Sequence, residues 1–191
     1  MPMIPSIAPG LIGRPRAATN LITNGGFETN TTGWSDGGNT TLSRSTEQAH
    51  SGAASGKSVM DATNAGENAC ASITATAAAA GVHVWSVWMY IPAAWTGGTV
   101  ALDTSGWTGI SPADGTNFNA NMALVDQWQR VTAFVTVAGG DLSGALRVVA
   151  TGINSGEFIY IDDCQFESAI ATPYIATDGG TASRNALKWV A

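Results

Sequence analysis

"WQRVTAFVTV", residues 128–137, alternates with a period of two: Val131, Ala133, Val135 and Val137 fall on one side, and Trp128, Arg130, Thr132, Phe134 and Thr136 on the other. Successive side chains of a strand point to opposite faces, so this run reads as a half-buried strand with its valine side in the core. "VHVWSVWMYI", residues 82–91, sets Val82, Val84, Trp88 and Tyr90 against His83, Trp85, Val87, Met89 and Ile91. Apolar on both faces, it reads as a central strand covered on both sides, or as one that shows aromatics to a ligand or partner. Outward from these two, short β-rich runs lie near 20–23, 40–45, 55–61, 69–77, 98–103, 144–151 and 157–167, separated by Gly, Asn, Asp and Ser clusters. No long helical period competes, and the spacing predicts an all-β sandwich or barrel.

Composition agrees. In 191 residues there are 23 Gly and only 12% charged residues, unlike a helical bundle rich in Glu, Lys, Leu and Arg. The length suits one well-filled domain. Residues 1–19, with Pro2, Pro5, Pro9 and Pro15, read as an extended arm, 20–167 as the domain, and 168–191 as a tail that begins extended. Residues 21–167 set four cations against 13 acids, a net −9, while the two ends carry +3. That balance argues against nucleic acid, whose phosphates need clustered Lys and Arg. Basic ends on an acidic body point to docking on something acidic, such as a neighbouring copy, or to plain solvation. No run of ~18 apolar residues is present to span a membrane.

Cys70 and Cys164 are too few for a disulfide framework or a four-cysteine zinc site. Alternation in "ACASITATA" puts Ala69, Ala71, Ile73 and Ala75 on one face and Cys70 on the other, and in "FIYIDDCQF" it groups Cys164 with Phe158, Tyr160, Asp162 and Phe166. One outward and one inward cysteine predict free thiols. Asp162 then points where an unpaired carboxylate is expensive. Asp162 and Asp163, adjacent on a strand, are expected on opposite faces, which disqualifies them as a catalytic acid pair. With only His50 and His83, and no nucleophile or phosphate-binding motif, no enzyme is expected.

"LITNGGFETNTTGW" (21–34), "AHSGAASGKSV" (49–59), "WQRVTAFVTV" and "FIYIDDCQFE" (158–167) resemble, in that order, the signatures of the galactose-binding-like jelly-roll carbohydrate-binding modules found on xylanases and cellulases. The resemblance spans about residues 20–167. It implies a jelly-roll β-sandwich of two antiparallel sheets and, in many members, one structural Ca2+ at the sandwich edge. Its ligands here would be Glu28, Asp162 and backbone oxygens around His50 to Gly52, with Ser51 between them. The alternative is that Glu28 and Asp162 accept backbone and hydroxyl hydrogen bonds with no metal.

Sugar binding needs an aromatic plane against a pyranose face and polar groups for its hydroxyls. The candidates are Trp88, Tyr90, Trp95, Trp107 and Trp128, with Asn117, Asn119 and Gln127 nearby in sequence. The tail "ATPYIATDGGTASR" resembles the segment found C-terminal to such modules in phage and prophage structural proteins. The expectation is therefore a phage virion protein, specifically a capsid decoration or cement protein assembled in the bacterial cytoplasm. It would attach to capsid or tail proteins and to its own copies through Ile4, Ile7, Leu11, Arg14, Arg16, Tyr174, Arg184 and Trp189. The alternative is a glycan-binding module for host-surface or polysaccharide adhesion, including one within a tail.

Overall fold

A computed structural model describes residues 18–112, 118–168, 172–177 and 182–184. Its strands are β1 (Ala18–Asn20), β2 (Trp34–Ser35), β3 (Thr40–Ser45), β4 (Ser55–Met60), β5 (Asn64–Thr76), β6 (Gly81–Tyr90), β7 (Val100–Ser105), β8 (Thr108–Pro112), β9 (Trp128–Val137), β10 (Ser143–Ile153), β11 (Phe158–Ser168) and β12 (Ala182–Arg184). They form a four-stranded sheet, β2-β5-β10-β7, a six-stranded sheet, β3-β4-β11-β6-β9-β8, and a β1-β12 ribbon, with antiparallel pairing. The two larger sheets make the jelly-roll sandwich.

Between them lies one apolar core. The four-stranded sheet contributes Ile73, Leu102, Leu146 and Val148, and the six-stranded sheet contributes Trp85, Val87, Met89, Val131, Val135, Ile159 and Ile161. The valine face of β9 is buried as its alternation predicts, and Trp85, Val87 and Met89 are the inward side of β6. The expected first strand at 20–23 is instead β1 at 18–20, because the chain leaves the ribbon after Asn20. That side chain donates to Cys164 O (3.1 Å) and Ile175 O (3.0 Å), and accepts from Phe166 N (3.1 Å).

Two β-bulges change the faces expected from strict alternation. On β5, Val148 faces Ala71 and Val149 faces Ala69, so Cys70 is the extra residue. Cys70 and Ala71 both point inward, and Ala69, expected inward, is half-exposed. On β11, Asp162 faces Trp88 and Gln165 faces Ser86, with Asp163 in a left-handed conformation (φ 48°). Asp tolerates that region better than most residues. Cys164 and Phe166 therefore join Ile159 and Ile161 in the core, whereas Tyr160 and Asp162 lie on the other side. The grouping of Cys164 and Phe166 with Tyr160 and Asp162 is thus corrected: one inserted residue reverses every side chain after it.

Both cysteines are free and buried. Burial pushes the Cys70 thiol up to about 12 and raises that of Cys164 well above its ordinary value. Neither thiol is expected to react with Ellman's reagent in the folded protein, and both should react within seconds of denaturation, a difference read directly by absorbance.

The segment that carries Glu28 is shaped by close contact. A Cβ on Gly25 would lie 2.3 Å from Cys164 O, so only glycine lets this loop reach the bulge, where Cys164 N donates to Gly25 O (2.9 Å). Asn24 and Phe27 adopt left-handed conformations, and Phe27 packs its ring on Trp34 (5.0 Å) inside the core. The turn that buries Phe27 leaves Glu28 exposed beside the 50–53 turn.

Candidate functional site

Strand register assembles an aromatic row on the outer face of the six-stranded sheet. Lys57 on β4, Tyr160 on β11, Tyr90 on β6 and Trp128 on β9 lie directly opposite one another across four adjacent strands. With neighbouring strands ~4.8 Å apart, the row runs about 14 Å across the sheet. Tyr90 meets Trp128 (5.7 Å) and Tyr160 (5.8 Å) edge to face, and Phe158 meets Tyr160 at 5.5 Å. The Lys57 ammonium sits 4.3 Å from the Phe158 ring centre. Trp88, one pair further along, stacks on the His50 imidazole (3.7 Å, 15°), which covers one face of its indole. Trp88, Tyr90, Trp128 and Phe158 are all half-buried, so their rings are held by neighbours yet reach the surface.

Polar groups border the rings. Glu47 Oε2 accepts from Tyr160 OH (2.5 Å) and Lys57 Nζ (2.6 Å). Asp126 Oδ1 accepts from Ala93 N (2.9 Å) and Tyr90 OH (3.4 Å). The far end of the same face is covered by the chain itself. Arg130 Nη2 donates to Thr172 O (2.7 Å), Gln165 Oε1 accepts from Ile175 N (2.7 Å), and Glu167 Oε1 accepts from Thr172 N (2.7 Å). Residues 172–177 thus close one half of the face and leave the aromatic half open.

The expected metal ligands converge on one turn. Glu28 Oε2 accepts from Ala53 N (3.0 Å), and its carboxylate fills the space over Gly52 (φ 63°), where a Cβ would lie 2.0 Å from Oε1. Asp162 Oδ2 accepts from His50 N (2.8 Å) and Ser51 N (3.2 Å). Asp163, turned to the same side by the bulge, accepts Ser51 Oγ (2.6 Å) and pairs with His50 Nδ1 (2.6 Å). The expectation that Asp162 and Asp163 face opposite ways is overturned, and Ser51 serves Asp163 with its hydroxyl. Among the described residues no three His, Cys, Asp or Glu side chains form a metal cluster. The carboxylates of Glu28 and Asp162 are hard oxygen donors of the kind that suit Ca2+, and the 50–53 turn meets them with backbone N–H groups.

Burial, and then the charge of Asp163, push the Asp162 carboxyl up to about 7. An unfolded aspartate ionises near 4, so between pH ~4 and ~7 the folded protein holds a proton that the unfolded chain has released. In chelator-treated protein, stability should accordingly fall as pH rises from 5 to 8, on the order of a few kcal/mol. Thermal melts of Asp162→Asn should lack most of that slope.

The remaining candidates divide. Trp95 lies off the row in the loop after β6, with Nε1 donating to Gly98 O (3.0 Å). Trp107 is not a sugar platform: it is 7% exposed, stacks on Phe166 (5.1 Å, 16°) and donates to Asp141 O (3.1 Å). Gly144 makes room for its ring, a fit that a glycine 37 residues away does not announce. Asn119 forms a bridge with Ala101, Gln127 is exposed, and Asn117 lies outside the described residues. Tyr174 packs its hydroxyl 3.0 Å from the Cβ position of Gly26, within its own domain, and Arg184 pairs through its backbone with Ala18. Ile4, Ile7, Leu11, Arg14, Arg16 and Trp189 lie outside the described residues. The His50 side chain, Lys57, Phe158, Tyr160 and Asp163 are site groups that the sequence does not single out. Alternation in "FIYIDDCQF" groups Tyr160 with the inward Cys164, and only the register across the bulge shows that Tyr160 lies on the outer side and abuts Tyr90.

The CBM22-1 xylan-binding domain of Paenibacillus barcinonensis Xyn10C superposes with a TM-score of 0.53 at 17% identity, over 78% of this chain and 90% of that domain. The fold is that of the carbohydrate-binding jelly rolls. An arabinose-bound GH51 α-L-arabinofuranosidase matches at TM-score 0.59 and 13% identity, over 78% of this chain and 26% of the enzyme. The enzymatically active domain of tailspike protein 4 from bacteriophage CBA120 matches at 0.54 and 12%, over 77% of this chain and 21% of that one. No protein-family model and no curated protein matches the chain.

Proposed function

We propose that this chain is a non-catalytic glycan-binding module whose site is the open half of the six-stranded sheet's outer face. The observation that carries this reading is the half-buried pair Tyr90 and Trp128, backed by the buried Tyr160 in the same cross-strand row and bordered by carboxylates that accept hydroxyl hydrogen bonds. Lys57 is matched by Glu47 and Arg130 is spent on Ser86 and Thr172, so the face favours a neutral polysaccharide. Affinity electrophoresis through gels containing xylan, mixed-linkage β-glucan, mannan or pectin tests it. Retardation by at least one neutral polymer is the expected result, and unretarded migration in all of them would contradict the proposal.

A structural Ca2+ held by Glu28, Asp162 and carbonyls of the 50–53 turn would tie the first loop to β11 and balance the paired aspartates. Added Ca2+ should then raise the melting temperature and abolish the pH slope expected of the chelator-treated protein. An unchanged melt at millimolar Ca2+ favours the metal-free hydrogen-bonding alternative.

A virion setting is the second reading, supported by the tailspike neighbour and by the likeness of the tail to phage structural proteins. In it the glycan-binding face is carried on a particle, as a tail or decoration component, with residues 1–17 as the attachment. Deleting them should abolish co-sedimentation with particles while leaving the domain folded, and retained co-sedimentation would dismiss that attachment.

A further inference from the structure

The loop after β6 and the turn before β11 enclose a groove of about 280 Å³. Its apolar wall is Pro92, Ala94, Trp95 and Phe158, and Ser155 and Glu157 are its polar groups. We propose that this groove is a second sugar subsite, holding one ring at the end of the glycan chain that lies on Trp128 and Tyr90. The inference rests on the glycan-binding function and extends it.

Continuity selects the occupant. Phe158 lines the groove and touches Tyr160 of the row (5.5 Å), so the groove begins where the row ends. Residues 172–177 cover the opposite half of the face, which leaves this end open to a chain longer than the row. The volume lies just below the ~300–1,000 Å³ of typical small-molecule pockets, room for one ring and not for an oligosaccharide.

The groove is also built in advance. A Cβ on Gly97 would lie 2.5 Å from the Trp95 ring, so the indole rests directly on backbone, and its Nε1 is already bonded to Gly98 O. What Trp95 offers the groove is an apolar plane. Glu157 Oε1 accepts Thr96 N (2.7 Å) and Thr96 Oγ1 (2.6 Å), and Oε2 accepts Asn154 N (3.2 Å), which ties the two loops together. Burial opposes ionisation of Glu157, but the hydrogen bonds from Thr96 and Asn154 outweigh it and hold the carboxyl below its ordinary range. An ionised carboxylate beside an aromatic plane accepts sugar hydroxyls and repels acidic sugars.

The test is titration of the 15N-labelled full chain with xylohexaose, cellohexaose and mannohexaose, following the tryptophan indole signals. The expected result with at least one is a shift of Trp95 together with Trp88 and Trp128. Trp95→Ala and Glu157→Gln should each weaken that hexaose about tenfold, while the Trp88 and Trp128 signals still move at saturation. If Trp88 and Trp128 shift and Trp95 does not, the groove is not a subsite and the glycan reading stands. If no indole responds to any hexaose, both are overturned.

Discussion

Replacing Trp85 with alanine is expected to destabilise the domain by about 3–5 kcal/mol, the cost of emptying a large, fully buried site. Trp85 is 0% exposed on β6, between β11 and β9, and faces the opposite sheet. Its indole Nε1 has no hydrogen-bond partner. A buried donor left unmatched costs ~1–3 kcal/mol, so Trp85→Phe removes a penalty along with some packing and should lose much less than the alanine variant. Urea melts of both variants read the difference. Similar large losses in the two would show that the indole's full volume, and not an aromatic plane alone, holds the sheets together.

Tyr90→Ala and Trp128→Ala are each expected to weaken binding of a retained polysaccharide at least tenfold, equivalent to about 1.4 kcal/mol, because ring contacts at the centre of a site carry most of its energy. The two rings touch, so the double variant should fall short of the product of the single effects. Both side chains are half-buried on the outer face, and their removal leaves the core valines of β9 in place. Calorimetry should therefore show lost affinity with unchanged melting temperature. Wild-type affinity in the double variant would move the site away from this face.

How much of this was legible in advance depends on the range of the interactions. The alternation of β9 is local and marked both the core valines and the outward Trp128, whereas β6, apolar on both faces, left open which side shows Trp88 and Tyr90. Strands of two, three and five residues, such as β2, β12 and β8, carry too few alternations to stand out from loops. The bulges at Cys70 and Asp163 depend on a partner strand distant in sequence, so strict alternation misplaced Ala69, Cys70, Tyr160 and Asp162. The pairing of Asp162 with Asp163 on one turn comes from the same inserted residue. Lys57, Tyr160 and His50 entered the site through register and turn geometry, and Trp107 left it because Gly144 and Phe166 make a slot for its ring.

The most direct measurement is a crystal structure with the hexaose that shifts the indole signals. Sugar rings are expected against Tyr90 and Trp128 on the outer face of the six-stranded sheet, with hydroxyls directed to Glu47 and Asp126. Sugar bound on the four-stranded sheet, or on loops remote from this row, would contradict it.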